Sequence, residues 1–354
     1  MKLIKGNGIE VPDWVSHYRG DMYYLPSHRY IISLATLRAK IYLTTGDKID
    51  IVCPPERKCF SKGLIWEARR VVNGVFGILR ESLSRFVKEG PEVKWNKEII
   101  DRALSEVGRL IDSFKPEPRD CRLLPAIACY VGGSSPTIYV AIDRLENLAR
   151  EIEGKIDIDW DSYYKEELKR MLLKHFIIHE ITHSFIDACC DGCPAKSIND
   201  EFTRRVIEES LATFIAFKHF ELNKGINEVF KHWIISEETL EYSVFWVWNH
   251  LERLINVNVN EVLRLWAGLG VENNAYLVWI MSSVGHLIPV VPPPPFFRHF
   301  FSFIHWLERF SMKYPSLWKA LTQIMRLIDE LCRDSRRLWK LLALCIASYG
   351  LGRV

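Results

Sequence analysis

Glutamine is almost absent from these 354 residues, Gln323 being the only one. Depletion of thermolabile side chains is a trait of proteins from hot environments, so a thermophile origin is expected. Charge of one sign is lacking too: Lys and Arg number 47 against 44 Asp and Glu, a formal net charge of +3. That is too weak to imply a nucleic-acid or membrane-surface partner. Met1 to Trp14 carries charges and glycines but no apolar run, so it does not read as a secretory signal, and a cytoplasmic location is expected. There is no internal repeat. Nor does any stretch pass clearly for a membrane span. Ala275 to Val291 runs 17 residues without charge, but Ser282, Ser283, Gly285, His286 and Pro289 interrupt it. It sits at the lower length limit for a spanning helix and reads better as buried helix.

What is present is an ordinary globular composition, 48% hydrophobic and 26% charged, with ample material for a core. There are nine cysteines. Cys53-Pro-Pro-Glu-Arg-Lys-Cys59 reads as a loop whose spacing fits no standard zinc knuckle. Its cysteines could close a small disulfide or bind metal, but free thiols are expected in the cytoplasm, hyperthermophile proteins being the exception. Cys189, Cys190 and Cys193 form a second cluster. Cys190-x-x-Cys193 has knuckle spacing, which leaves disulfides or a four-cysteine site with Cys53 and Cys59 open.

Turn signals and periodicity divide the chain. Tyr30 to Leu34, Ala39 to Leu43 and Ile49 to Cys53 read as strands, and 62–89 and 96–114 as helices. The segment Pro116 to Pro125 is a Pro-rich connection. A hairpin follows, Leu124 to Val131 and Thr137 to Ile142, joined by Gly132-Gly133-Ser134-Ser135-Pro136. Helices are expected from about Asp143 to Ile152, Tyr163 to Cys190 and Asp200 to Leu222. Beyond 236 the pattern is all helical: 237–256, 259–268, 274–288, 299–313 and 316–348. Three regions are expected: residues 1–115 as an N-terminal α/β region, 116–230 as a core, and 231–354 as a helical C-terminal region.

The chemistry lies in Ile177-Ile178-His179-Glu180-Ile181-Thr182-His183-Ser184-Phe185. On a helix His179 and His183 lie one turn apart on one face, so their imidazoles can converge on one metal ion. Glu180 can reach a water at that metal without being a ligand, as in zinc hydrolases whose glutamate is the general base. The flanks are apolar, and no Gly or Pro interrupts residues 155–191. A buried helix with incidental histidines would leave Glu180 an unpaired buried carboxylate, which is costly.

Catalytic zinc needs a third protein ligand. The next helix offers Val206-Ile207-Glu208-Glu209-Ser210-Leu211-Ala212-Thr213-Phe214. Glu209 shares its face with Phe202, Val206, Ala212 and Thr213, whereas Glu208 lies with Arg204, Arg205 and Leu211. Amphipathicity therefore selects Glu209. Arg204 and Arg205 read as solvated charges, and His175 as a residue packed beside the ligands.

His179-Glu180-Ile181-Thr182-His183 with Asp187 four residues on, followed by a helix carrying Glu209, resembles the gluzincin metallopeptidases, and its active helix is similar to that of thermolysin-like enzymes. Glu208-Glu209-Ser210-Leu211-Ala212 is similar to the Asn-Glu-Gly-Phe-Ala segment of the aminopeptidase branch. The likeness covers roughly residues 124–223. It departs where the family often has an Asp four residues after the ligand glutamate, a place held here by Thr213, and at the Cys189 to Cys193 insertion. The resemblance implies that Thr137 to Ile142 is the substrate-lining edge strand and that Asp187 accepts a proton from a ligand imidazole. It also implies a Tyr or His steadying the oxyanion. Tyr242, Tyr276, His286 and His299 are candidates, with His286 preferred because a lone imidazole in an apolar segment needs a reason to be there.

The expected fold is α+β and predominantly helical: a zincin-like core with a small antiparallel sheet beside the active-site helix, plus an all-helical C-terminal region. The expected function is a zinc metallopeptidase acting on a peptide or protein substrate, with Zn2+ on His179, His183 and Glu209, and with Glu180 and His286 catalytic. A hydrolase of a non-peptide amide, or a metal-binding scaffold with little turnover, stands as the alternative.

Overall fold

The computed structural model describes residues 3–5, 39–54, 58–89, 97–120, 125–155, 161–189, 200–218, 224–237, 239–248, 312–313, 315 and 335–350. They belong to two compact units. The first comprises Met1–Lys62, Glu117–Cys193 and Arg205–Trp248; the second comprises Gly63–Pro116, Pro194–Arg204 and Asn249–Val354.

The first unit is built on a four-stranded sheet of β1 (Leu3–Lys5), β2 (Lys40–Thr44), β5 (Ala128–Val131) and β6 (Thr137–Ala141), in the order β1-β2-β6-β5. A short ladder, β3 (Lys58–Cys59) with β4 (Arg119–Asp120), stands separately. The hairpin β5–β6 is antiparallel, with Gly133 at φ +111° in its turn, a conformation glycine adopts without steric cost. The sheet as a whole is mixed rather than antiparallel, because β6 runs parallel to β2 and β2 to β1. Parallel neighbours need long crossover connections, and local turn signals carry no trace of them. β6 (Thr137–Ala141) is an interior strand, and among the described residues the edge beside it is β5. Burial explains the order: Ile138 and Val140 are fully buried opposite Ile41 and Leu43.

Gly46–Val52 forms helix α1, not the strand expected at Ile49 to Cys53. A short apolar run has no decisive period of its own. The tertiary setting decides it. Gly46 N–H donates to the Asp143 carboxylate at 2.9 Å, and a Cβ at Gly46 would collide with the Arg144 guanidinium. Arg144 in turn pairs with Asp50 at 2.5 Å and donates to the Ala126 carbonyl at 3.0 Å. Ile49 of this helix and Cys53 at its C-cap are buried together, against Cys129 and Ala141. Cys53 and Cys129 form a disulfide with 6.5 Å between Cα atoms, and Cys59 is disulfide-bonded as well. The free thiols expected at Cys53 and Cys59 are thus corrected. The Cys53 partner is 76 residues away, and only folding brings it near. Cys190 and Cys193 lie outside the described residues.

Helix α4 (Ile142–Lys155) leads to α5 (Ser162–Cys189), the helix that carries the metal motif. Asp161 caps α5 by accepting from the Tyr164 N–H at 2.9 Å, which satisfies one of the donors exposed at a helix start. Its first turns are charged, with Arg170 bridging to Glu166. From Met171 on, Leu172, Leu173, Ile177, Ile178 and Ile181 are buried together with His175, His179, Glu180, Thr182 and Ser184. The core therefore closes around the motif on more than one face. Asp200 caps α6 (Glu201–Lys218) through the Thr203 N–H at 3.0 Å. Then come α7 (Lys224–Glu237), in a stretch where no helix was expected before 237, and the single turn α8 (Leu240–Ser243).

In the second unit α2 (Leu64–Glu89) packs with α3 (Lys97–Ser113) and α9 (Ser335–Gly350). Ala68, Val72, Val75 and Leu79 of α2 and Leu344 of α9 supply buried surface, and Arg69 donates to the Ser348 carbonyl at 2.9 Å. Cys345 of α9 is a buried free thiol that burial pushes up to about 12. No described helix is long and apolar enough to cross a membrane; Ala275 to Val291 lies outside the described residues.

Candidate metal centre

His179 and His183 stand one turn apart on α5 and direct their Nε2 atoms to one point, 3.1 Å from each other. Glu209 of α6 closes the figure. Its Oε2 is 3.2 Å from His179 Nε2 and 3.3 Å from His183 Nε2. The three donors form a nearly equilateral triangle. Ligands bound tetrahedrally to a metal such as zinc at about 2.0–2.1 Å are roughly 3.3 Å apart, so these spacings fit three corners of a tetrahedral metal site. The two-imidazole, one-carboxylate donor set also suits that ion. The ligand-capable atoms of these three residues all lie within 4.8 Å of one another.

The reason they converge lies in the two helices. An i, i+4 pair on α5 shares a face, and α6 turns the Glu209 side of its face inward, where Val206 and Ala212 are fully buried and Thr213 nearly so. Ser210, next to Glu209, is held between the Val206 carbonyl and the Trp248 indole N–H, which donates to its Oγ at 2.8 Å.

The outer ring nitrogens are also engaged. His183 Nδ1 lies 3.0 Å from Glu208 Oε1, and His179 Nδ1 lies 3.4 Å from Thr213 Oγ1. With Nε2 of each ring turned to the centre, Nδ1–H is left to donate outward, fixing tautomer and ring orientation. Amphipathicity ranks Glu208 below Glu209 as a ligand, and Thr213 stands where an acid was expected. Thr213 fills that place beside His179. The signal for Glu208 was its adjacency to Glu209 at a helix position neither fully inward nor fully outward. The side chain of Asp187 lies outside the described residues.

Electrostatics follow from this closeness. Burial alone would push the His183 imidazole down, but the Glu209 charge and the bond to Glu208 outweigh it and hold it well above its ordinary value. Burial likewise opposes the Glu209 charge, yet His183 and His179 hold that carboxyl well below the usual range. Imidazole and carboxylate thus favour each other's charged form, the compensation that a buried acid requires.

Glu180 is 7% exposed, and its carboxylate makes no hydrogen bond or ion pair to any described residue. His175 is packed between Phe217 and Phe230, at ring-centre distances of 4.6 and 4.8 Å. Burial, aided by nearby His179, holds it well below its ordinary value and so neutral. Arg204 is exposed as expected. Arg205 is not: its side chain is 13% exposed and pairs with Glu241. Of the residues considered for the oxyanion, Tyr242 places its ring 5.9 Å from that of His179. His286, the preferred one, lies outside the described residues, as do Tyr276 and His299.

No family model matches this chain, and no solved structure matches it. A curated relative, GTPase-binding protein rid1 of Schizosaccharomyces pombe, is 21% identical over 235 residues, 65% of this chain and 50% of the relative. The chain spans about half the length of that relative.

Proposed function

We propose that this chain is a zinc-dependent peptide-bond hydrolase of gluzincin type. The observation that supports it is the triangle of His179 Nε2, His183 Nε2 and Glu209 Oε2, with edges of 3.1 to 3.3 Å. Zinc, when bound, supplies a Lewis acid that polarises a substrate carbonyl and makes water acidic near neutral pH. The protein does the rest. Glu180 takes the proton of the attacking water and passes it to the leaving amine. Glu208 and Thr213 hold the imidazoles in one tautomer. Tyr242, beside His179, is the described candidate to donate to the developing oxyanion, a role for which His286 is the other candidate.

A peptide or protein is the proposed substrate, and the cytoplasm of a thermophile the proposed setting. Disulfides inside a cytoplasmic protein fit such an origin, as does the single glutamine. The test is zinc content, followed by cleavage of a denatured protein with and without chelator, for the native chain and Glu180→Gln. Stoichiometric zinc with chelator-sensitive cleavage that Glu180→Gln abolishes is the expected result. Absence of zinc overturns the reading. A small-amide substrate cleaved in place of peptides would redirect it to a non-peptide amide hydrolase.

A second reading is a metal-loaded scaffold with little turnover. What favours it is the fission-yeast relative, whose name is that of a GTPase-binding protein. Bound metal, no cleavage and no effect of Glu180→Gln would decide for it.

A further inference from the structure

Glu241 is fully buried, next to Tyr242 in the single-turn helix α8. Its Oε1 accepts from the Phe60 N–H at 3.2 Å and lies 3.4 Å from Arg205. The Leu240 N–H answers by donating to the Phe60 carbonyl at 3.2 Å. Arg205 also donates to the Lys58 carbonyl. One guanidinium thus joins three pieces of chain: strand β3, helix α8, and helix α6 one turn before Glu209. Lys62 adds a further strap, donating to the Ile235 carbonyl at 2.6 Å at the end of α7.

A four-residue helix has almost no stability of its own. Where α8 sits, and hence where Tyr242 points, must therefore be fixed by what holds it. A buried ion pair is a poor way to gain stability, since apolar residues of similar volume often do as well or better. What such a pair gives is a defined geometry, because both charges lose heavily if either partner moves.

We propose that Arg205 and Glu241 are positioning residues that hold the Tyr242 ring beside His179. The pair acts through α8 and touches neither substrate nor metal. It links the helix that carries the ligand Glu209 to the turn that carries Tyr242, so the two sides of the site move together. This rests on the proposed hydrolase for its catalytic consequence, but not for its structural one.

The test uses the full chain with labelled histidine and tyrosine, comparing the native protein with Glu241→Gln, Arg205→Met and the apolar pair Arg205→Met/Glu241→Met. The first readout is the nuclear Overhauser contact between the Tyr242 and His179 rings, with the thermal midpoint alongside. The apolar pair is expected to melt near the native protein yet lose the ring contact. Peptide cleavage is the second readout. There kcat is expected to fall about tenfold to a hundredfold with KM and zinc content little changed, the usual scale for a small misplacement. Tyr242→Phe should show a similar kcat loss that does not add to that of Arg205→Met, since both act on one contact. If Arg205→Met does not fold, Glu241→Gln and the apolar pair carry the test. Retention of the ring contact in the variants that fold overturns the proposal. A chain that cleaves no peptide defeats the proposed function alone, since the ring contact is read without substrate.

Discussion

On α3, Glu106 and Arg109 stand in solvent one turn apart and meet at 2.6 Å, and the bond from Arg109 holds the Glu106 carboxyl below its usual value. On α5 and α6, His183 meets Glu208 at 3.0 Å and His179 meets Glu209 at 3.2 Å, between residues 25 and 30 apart in sequence and largely shielded from water. The distances are similar but the physics is not. The first pair could form in an isolated helix and is screened by solvent. The second costs desolvation on every member, and nothing local demands it. Surface pairing of the first kind needs no function to explain it. A buried cluster with both ring nitrogens of each histidine engaged is the arrangement a metal would use.

Loss of function should be greatest at the buried cluster. Glu180→Gln is expected to lower peptide hydrolysis by roughly two to four orders of magnitude while zinc stays stoichiometric, read by steady-state kinetics beside metal analysis. Hydrolysis undiminished in that variant would mean the cluster is not a catalytic site.

Next in size is the link between metal and stability. Zinc that binds only the folded chain should stabilise it by about 4 kcal/mol at a thousandfold excess over its dissociation constant. The pH dependence has a definite sign. In metal-free protein the raised His183 value means a contribution complete below about pH 6.5 and lost as pH rises through the higher folded value. Glu209, held below 4.5, contributes above that pH and loses it only as pH falls through its lower folded value. Melting of chelator-treated protein should therefore drop as pH rises above neutrality. The increment gained from zinc should grow over the same range, because ligand imidazoles must shed their protons. Parallel curves with and without zinc would argue that His183 is no ligand.

Breaking the Cys53–Cys129 bond by Cys129→Ala should cost about 2–4 kcal/mol in a denaturant titration, given the 76-residue separation. Smaller still, Glu208→Gln is expected to weaken zinc binding about tenfold, the lower end for a group that orients a ligand imidazole. A competitive chelator titration measures it. Smallest of all, Glu106→Gln should leave the melting temperature unchanged within error. A clear drop there would blur the distinction between the two pairs.

Much of the site was legible because it is local. The i, i+4 spacing of His179 and His183, the apolar residues around them, and the inward face of α6 at Glu209 need only helical periodicity. The same holds for helices 64–89 and 97–113. Errors came where distant chain decides. Ile49 to Val52 has a strand's composition, yet Asp143, Arg144 and Cys129 turn it into a helix with one buried face. Arg205 looks like any surface arginine until Lys58 and Glu241 arrive from 147 residues before it and 36 after.

The sequence by itself therefore determined the helix that bears His179, Glu180 and His183, and the preference for Glu209 over Glu208. Both follow from a period of 3.6 residues. Tertiary structure alone decided that Glu208 and Thr213 lie at the outer ring nitrogens, that Tyr242 lies beside His179, that Cys53 finds Cys129, and that β6 is interior to a mixed sheet. Each of those depends on two segments far apart in the chain coming within a few ångströms, a relation that no local pattern of residues encodes.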